Sequence, residues 1–426
     1  MNWYYAVGDQ KHGPFGRDEF VRIIGTGAIT DATLVWREGM PNWQPFAEVK
    51  GEFAAPQSAQ DAGVIASEPA AASPAPSSTG PLSFEFTGTA GEYFKIWLVN
   101  LLLTIVTFGI YAAWAKVRNR RYFYANTRFQ GHAFDYTGNP VRILIGNLIV
   151  FGMSVIYFTS GAISPFLVLV VILLFMVLVP WLIVKSLSFN ARNSAYRGLR
   201  FGFDGTYGQA AVNFIILPIA AVFTLYLLFP WVQREQKAFV VSRHRYGTTP
   251  FAFHGSTGDI YRIFGLTLLF FLPLLVVYGG MIGTLIATGA SHGQGAPSPT
   301  SPFMMVWGLL LFPAMISAIV GSYFYRARLF NYVWGNTTLG AHRFQAGMTF
   351  GGLFVLQFVN SLAVIFSLGL LYPWAKVRMA RYVLGNLQVL PAGPLDELAG
   401  AGPAPDESAV GESAADFFDF DIGLGL

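Results

Sequence analysis

The sequence predicts a polytopic α-helical membrane protein built from internal repeats, preceded by a small α+β domain. Three observations carry that reading. First, the chain is 54% hydrophobic, 16% aromatic and only 12% charged, with a mean hydropathy of +0.48. Ordinary soluble domains do not reach these values. Second, about seven apolar segments fall at roughly 96–115, 141–159, 165–184, 210–231, 260–288, 303–324 and 352–374. Each is close to the ~20 residues that cross a hydrocarbon core. Third, the segments and their flanks recur in register.

The recurrence is gapless at the most informative residues. A shift of 260 sets Phe84–Asn126 on Phe344–Asn386 and matches Asn100/Asn360, Gly109/Gly369, Trp114/Trp374, Lys116/Lys376, Arg118/Arg378 and Arg121/Arg381. A shift of 117 sets FEFTGTAG at 84–91 on FGFDGTYG at 201–208. A shift of 143 pairs Asn193 with Asn336 and Arg200 with Arg343. The expected organisation is therefore a soluble domain over 1–50, an Ala/Pro/Ser-rich disordered linker over 51–82, a membrane domain over 83–390 and an acidic disordered tail over 391–426. Within the membrane domain the units run over about 84–200, 201–343 and 344–390.

Charge placement bears on topology. The tail carries eight acidic residues and no basic ones, which leaves 27 basic against 15 acidic residues elsewhere. Only the connections 160–164 and 289–302 lack charge; the others hold five, four, four, three and three Lys or Arg, nineteen in all. Seven plain crossings would split these basic residues between the two faces. If 96–115, 210–231 and 352–374 instead enter and leave on the same face, all nineteen lie on one side, as the positive-inside rule prefers. Gly109, Pro218 and Gly369 are the expected breaks for such re-entrant segments, whose backbone must then be covered by protein. Short strands at 84–88, 197–205, 245–255 and 338–346 would pair on that same, cytoplasmic, face. The N-terminus, MNWYYAVGDQKHG, has neither the basic start nor the apolar core of a cleavable signal peptide.

In residues 1–50, WYYAV and TLVWRE read as strands and Gly13-Pro14 as a turn, while Arg17–Gly25 has helical spacing with Phe20, Ile23 and Ile24 on one face. The order WYY…GPF…LVWREGMPNWQP resembles the bacterial branch of the GYF-type domains. In eukaryotes those domains bind proline-rich peptides. The resemblance implies that Tyr5, Phe15 and Trp36 form a platform for a polyproline II ligand, either a separate peptide or the chain's own linker, which contains Pro56, Pro69, Pro74, Pro76 and Pro81. Filling a small core is the alternative role for the same aromatics.

In the membrane domain, the run TFGIYAAWAKVRNRRYFYANTRF followed by GHAFDYTG resembles the YjgN family of bacterial inner-membrane proteins over about 82–390. That resemblance implies an inner-membrane location and no settled activity. Chemistry is sparse. The six histidines have no metal-ligand spacing, phosphate-loop and nucleophile-elbow motifs are absent, and the apolar segments contain no acidic residue. No cofactor, metal, catalytic set or nucleic-acid partner is expected. Asn100 and Asn360 are the candidates for an intramembrane polar site, with interhelical hydrogen bonding as the alternative. Arg118, Arg120, Arg121, Arg378 and Arg381 are candidates for contact with anionic lipid, though they serve equally as topology determinants. A non-enzymatic membrane scaffold with cytoplasmic docking elements is the leading functional expectation, and a transporter or channel for a small solute or lipid the alternative.

Overall fold

The computed structural model describes residues 80–292 and 302–393, together with most of 3–49. The chain divides into two compact units, Met1–Ser73 and Pro74–Leu426. The linker expected over 51–82 and the acidic tail lie almost wholly outside the described residues, as does most of Arg17–Gly25.

The N-terminal unit is a four-stranded antiparallel sheet of β1 (Trp3–Val7), β2 (Gln10–Phe15), β3 (Leu34–Arg37) and β4 (Gln44–Pro45), in the order β2-β1-β3-β4. A single helical turn, α1 (Phe46–Val49), follows. Alternation sets the two faces. Trp3, Phe20, Ile29, Val35, Phe46 and Val49 are buried together, with Tyr5, Phe15, Ile23 and Ile24 packed against them.

The second unit is organised by ten short strands: β5 (Leu82–Phe86), β6 (Thr127–Phe129), β7 (His132–Tyr136), β8 (Ser194–Tyr196), β9 (Leu199–Phe203), β10 (His244–Tyr246), β11 (Thr249–Phe253), β12 (Thr337–Leu339), β13 (His342–Ala346) and β14 (Leu387–Leu390). Every strand pairs antiparallel with its sequence neighbours, and β14 pairs with β5, so the sheet closes into a barrel. Two-residue turns join β6 to β7 and β8 to β9. Gln130 and Gly131 (φ 48° and 76°), like Arg197 and Gly198 (φ 48° and 79°), are all left-handed, as tight hairpins of this twist require.

The remaining connections are helical hairpins, and strand direction puts all five at the same end of the barrel. They comprise α2 (Ala90–Val106) with α3 (Ala112–Asn126), and α4 (Pro140–Ile163) with α5 (Pro165–Arg192). The third joins α6 (Tyr207–Ala211), a π turn (Val212–Ile216) and α7 (Leu217–Phe223) to α8 (Phe229–Ser242). The last two are α9 (Thr257–His292) with α10 (Pro302–Gly335), and α11 (Phe350–Phe366) with α12 (Tyr372–Gly385). The order strand–helix–helix–strand thus runs five times around the ring.

Each hairpin is anchored alike. The N–H beyond the outgoing strand donates to the last carbonyl of the returning helix: Thr87 to Asn126, Thr137 to Asn193, Asp204 to Arg243, His254 to Asn336, and Gly347 to Asn386, at 2.8–3.0 Å. Asn126, Asn193, Asn336 and Asn386 also donate from Nδ2 to the carbonyl four residues earlier, satisfying part of the helix C-terminus. Adjacent hairpins are tied by arginine. Arg121 reaches Gly138 O at 3.4 Å, Arg234 reaches Gly255 O at 3.1 Å, and Arg381 crosses from the last hairpin to Gly88 O at 3.0 Å.

Inward-facing alternate residues fill the barrel. Phe129, Tyr196, Tyr246, Leu339, Phe344, Leu387 and Val389 are buried there, with Phe84, Phe134, Phe201 and Phe251 against them. Each large side chain gains roughly 1.5–3 kcal/mol on leaving water. The tyrosine hydroxyls are used too: Tyr196 donates to Phe129 O at 2.8 Å and Tyr246 to Tyr196 O at 2.9 Å. Strands of three to five residues fall well short of the ~9–11 that cross a bilayer. The barrel is a packed cap rather than a pore.

This architecture corrects the expected fold class. The strands close on themselves, and among the described residues four helices, not seven, are long and apolar enough to cross a membrane: α4, α5 and most of α9 and α10. The other three apolar segments reverse within themselves. Phe108 and Gly109, Leu225 and Tyr226, and Leu368 and Gly369 all have φ between 49° and 92°, which ends one helix and starts another. Gly109 and Gly369 mark their reversals, whereas Pro218 does not. It sits in the first turn of α7 after the π turn, and the chain reverses only beyond Phe223.

The strand–helix junctions follow a size rule. Phe86, Tyr136, Phe203 and Phe253 each precede by two a glycine (Gly88, Gly138, Gly205, Gly255) whose added Cβ would lie 2.3–2.8 Å from that ring. In the fifth copy Ala346 replaces the aromatic, and the buried Met348 replaces the glycine. Gly255→Ala is therefore expected to destabilise by about 1–3 kcal/mol, whereas Gly347→Ala, whose Cβ would meet nothing within 4 Å, stays near wild type. Thermal unfolding in detergent measures both.

Candidate functional site

Asn100 lies on α2 and Asn360 on α11, each only 3% exposed. Asn100 Nδ2 donates to Asn119 Oδ1 at 3.0 Å and to Ala115 O at 3.4 Å. Asn360 Nδ2 donates to Ala375 O at 3.4 Å, and its Oδ1 accepts from Arg378 Nη1 at 3.4 Å. Both amides thus tie an outgoing helix to the returning helix of its own hairpin, at the carbonyl just after Trp114 or Trp374. Both stand well before the reversal rather than at it.

The arginines divide by use. Arg120 donates to Asn190 Oδ1 at 2.9 Å and Tyr136 Oη at 3.1 Å, with its guanidinium 5.4 Å from the Tyr136 ring centre. Arg121 and Arg381 hold the glycine carbonyls described above. Arg378 stacks 5.1 Å from the Trp374 ring centre and bonds Asn360, bringing together two residues singled out separately in the sequence. Arg118 is exposed on α3, the helix that holds Arg120 and Arg121. Four of the five candidate lipid contacts thus also join helices to their neighbours. Tyr122 adds a further junction, donating to Thr89 O at 2.9 Å. Burial pushes its phenol up to about 12.

In the N-terminal unit the three expected platform residues do not share a face. Tyr5 and Phe15 stack at 5.8 Å on the core side. Trp36 lies opposite, 5.6 Å from Tyr4 and 6.4 Å from Trp43 between ring centres. Lys11 Nζ stands 4.0 Å from the Tyr4 ring centre and 5.5 Å from that of Trp36. Trp36 is fixed by donating from Nε1 to Met40 O at 2.9 Å. The outer face is thus a half-buried Tyr4–Trp36–Trp43 cluster with one cation. Alternation along WYYAV was the available signal, since it separates Tyr4 from Tyr5.

His244 is a buried titratable residue that the sequence did not distinguish. Its counterparts at the starts of β6, β8 and β12, Thr127, Ser194 and Thr337, donate to the carbonyl four residues back. His244 Nδ1 does the same to Val240 O at 2.6 Å. Nδ1 therefore carries the proton, and Nε2 is buried with no hydrogen-bond partner among the described residues. Burial holds its pKa below the ordinary histidine value. No metal-binding group of His, Cys, Asp or Glu occurs among the described residues. His254 contacts Thr338 Oγ1 at 3.2 Å while Asp259 accepts from Ser256 at 2.7 Å, so these two do not form an acid–base pair.

Comparison with known proteins places this geometry. Residues 81–417 match the family described as bacterial protein of unknown function (DUF898). The chain belongs to that family. Residues 3–51 match the GYF domain 2 family. The DUF898 chain is 28% identical over 359 residues to the inner membrane protein YjgN of Salmonella typhimurium, covering 74% of this chain and 89% of that protein. It is 26% identical over 360 residues to YjgN of Escherichia coli K12, covering 72% and 90%. No solved structure matches it. The chain is thus a relative of bacterial inner membrane proteins, and the family brings no activity with it.

The buried imidazole makes stability pH-dependent in a stated direction. Its folded pKa lies below the unfolded value of ~6.5, so as pH falls through ~6.5 the unfolded state takes up the proton first and stability drops. His244→Asn keeps a donor for Val240 O but cannot titrate. Unfolding followed across acidic pH should be less steep in this variant than in wild type.

Proposed function

We propose that this DUF898 protein is a non-enzymatic scaffold of the bacterial inner membrane, with the GYF-like unit as its docking element. The observation that carries the reading is the barrel interior, filled from wall to wall by Phe84, Phe129, Tyr196, Tyr246, Phe251 and Phe344. A lumen packed in this way gives a solute no path along the barrel axis, which weighs against the transporter or channel alternative. Asn100 and Asn360, bonded inside their own hairpins, favour interhelical ties over a solute site. The nineteen basic residues of the connections and the barrel favour a cytoplasmic placement for that face and for the docking unit. Arg118, with Arg120 and Arg121 close by in sequence and Arg378 and Arg381 at the matching place in the fifth hairpin, would meet anionic head groups there.

The docking surface is the Tyr4–Trp36–Trp43 face. Three aromatic rings with a flanking lysine suit the ridges of a polyproline II segment, which binds with little ordering cost. The partner is a proline-rich peptide or the chain's own linker with Pro69, Pro74 and Pro76. Titrating the chain with a proline-rich peptide while following tryptophan emission tests this. Trp36→Ala should weaken binding at least tenfold, equivalent to ~1.4 kcal/mol, with circular dichroism unchanged. Deleting the linker should strengthen it if the linker competes. Equal binding by Trp36→Ala, or none by wild type with or without the linker, would remove the docking role.

A further inference from the structure

All five hairpins leave one end of the barrel, but they differ greatly in reach. At ~1.5 Å per residue, α4 and α5 (24 and 28 residues) extend ~36 and ~42 Å, and α9 and α10 (36 and 34 residues) ~51–54 Å. The helices of the first and fifth hairpins, 14–17 residues long, and α8, with 14 residues, reach only ~21–26 Å.

Charge marks where the apolar medium begins. On the returning helices the charged residues farthest from the barrel are Lys116, Lys185, Arg234, Arg326 and Lys376, all about 13–17 Å along the helix from the adjoining strand. Beyond that collar, residues 165–184 of α5 alone supply the ~30 Å of a hydrocarbon core. The short returning helices have only ~5–10 Å left before their reversals. Those tips are apolar and open: Phe108 is 97% exposed, Leu225 86% and Leu368 94%, with Phe223 and Phe366 beside them. Three such tips in water would form apolar patches that soluble surfaces avoid.

We infer that the three short hairpins are wedges seated in the barrel-side leaflet alone, and that the surface they complete fits a bilayer curved convex toward the barrel. The inference rests on the two long hairpins crossing the bilayer, as the proposed membrane scaffold requires. Ten helical legs then enter the barrel-side leaflet and four continue through the opposite one. Each leg is a cylinder about 10 Å across, so the protein is broad at the barrel and narrow at the far side. The occupant of the wedge surface is the acyl region of one leaflet.

The native chain has no cysteine, so single-cysteine variants report cleanly. Phe108→Cys, Leu225→Cys, Leu368→Cys and, at the tip of the second hairpin, Ser164→Cys are each spin-labelled in the full chain inserted barrel-outward into phosphatidylethanolamine/phosphatidylglycerol vesicles. The three short tips should show high collision with oxygen, low collision with a polar nickel chelate and no reduction by ascorbate from either side. The Ser164 label should be reduced only by ascorbate trapped inside. Reduction of the short-tip labels from either side overturns the wedge while leaving the scaffold standing; a Ser164 label that only external ascorbate reaches overturns the crossing itself. In a mixture of small and large vesicles the protein should be several-fold denser on the small ones, and the triple variant Phe108→Ser, Leu225→Ser, Leu368→Ser should lose that preference. Equal density on both sizes overturns the curvature fit.

Discussion

Backbone pairing between β14 and β5 is the constraint on which the second unit depends. Strands of three to five residues make too few ladder bonds to stand alone, and each open edge would expose unpaired N–H and C=O groups. Closure removes both edges at once. It brings residues more than three hundred positions apart into register, with Gln388 opposite Ser83 and Val389 opposite Leu82. Arg381 on Gly88 repeats across the seam the arginine-to-glycine tie that Arg121 makes between the first two hairpins. The seam is thus built like the joints elsewhere in the ring.

With the ring closed, every helix has a fixed root. The outgoing leg follows its strand after a three-residue link that ends in the cap Thr89, Asn139, Thr206, Ser256 or Thr349, and the returning leg runs straight into the next strand. Hairpin length can therefore vary from about fourteen to thirty-six residues per leg without disturbing the barrel. Packing at the roots is less forgiving, as the exchange of Phe–Gly for Ala–Met at residues 346 and 348 illustrates: ring and glycine change together because they share one volume.

Much of this was legible in the sequence, though at a coarser grain. Matching Trp114 with Trp374 and Gly109 with Gly369 set the first hairpin against the fifth, and the basic connections pointed to a common face. Barrel closure was not legible, because strands as short as Thr127–Phe129 have almost no periodicity and their partners are set by distant chain. Counting apolar segments also misled. Residues 96–115 are as apolar as a span, and only the left-handed backbone at Phe108 and Gly109 divides them. Among the candidate site residues, Asn100 and Asn360 were legible as polar groups in an apolar setting and Arg378 as part of a basic cluster, but the partners Asn119 and Ala375 O were not, nor was the bond between Arg378 and Asn360. The division of Tyr4 from Tyr5 required strand alternation, and His244 looked like any surface histidine until Val240 O fixed its proton.

The seam has a consequence for biogenesis. Ribosomes deliver β5 first among the ten strands and β14 last. Until residues 387–390 have been made, β5 and β13 each present a bare edge, while the apolar legs already synthesised seek lipid. The ring cannot close until its last strand, residues 387–390, has been made, so every helical hairpin is complete before the barrel is. A chain truncated before Leu387 would keep all five hairpins yet leave β5 and β13 each without one partner.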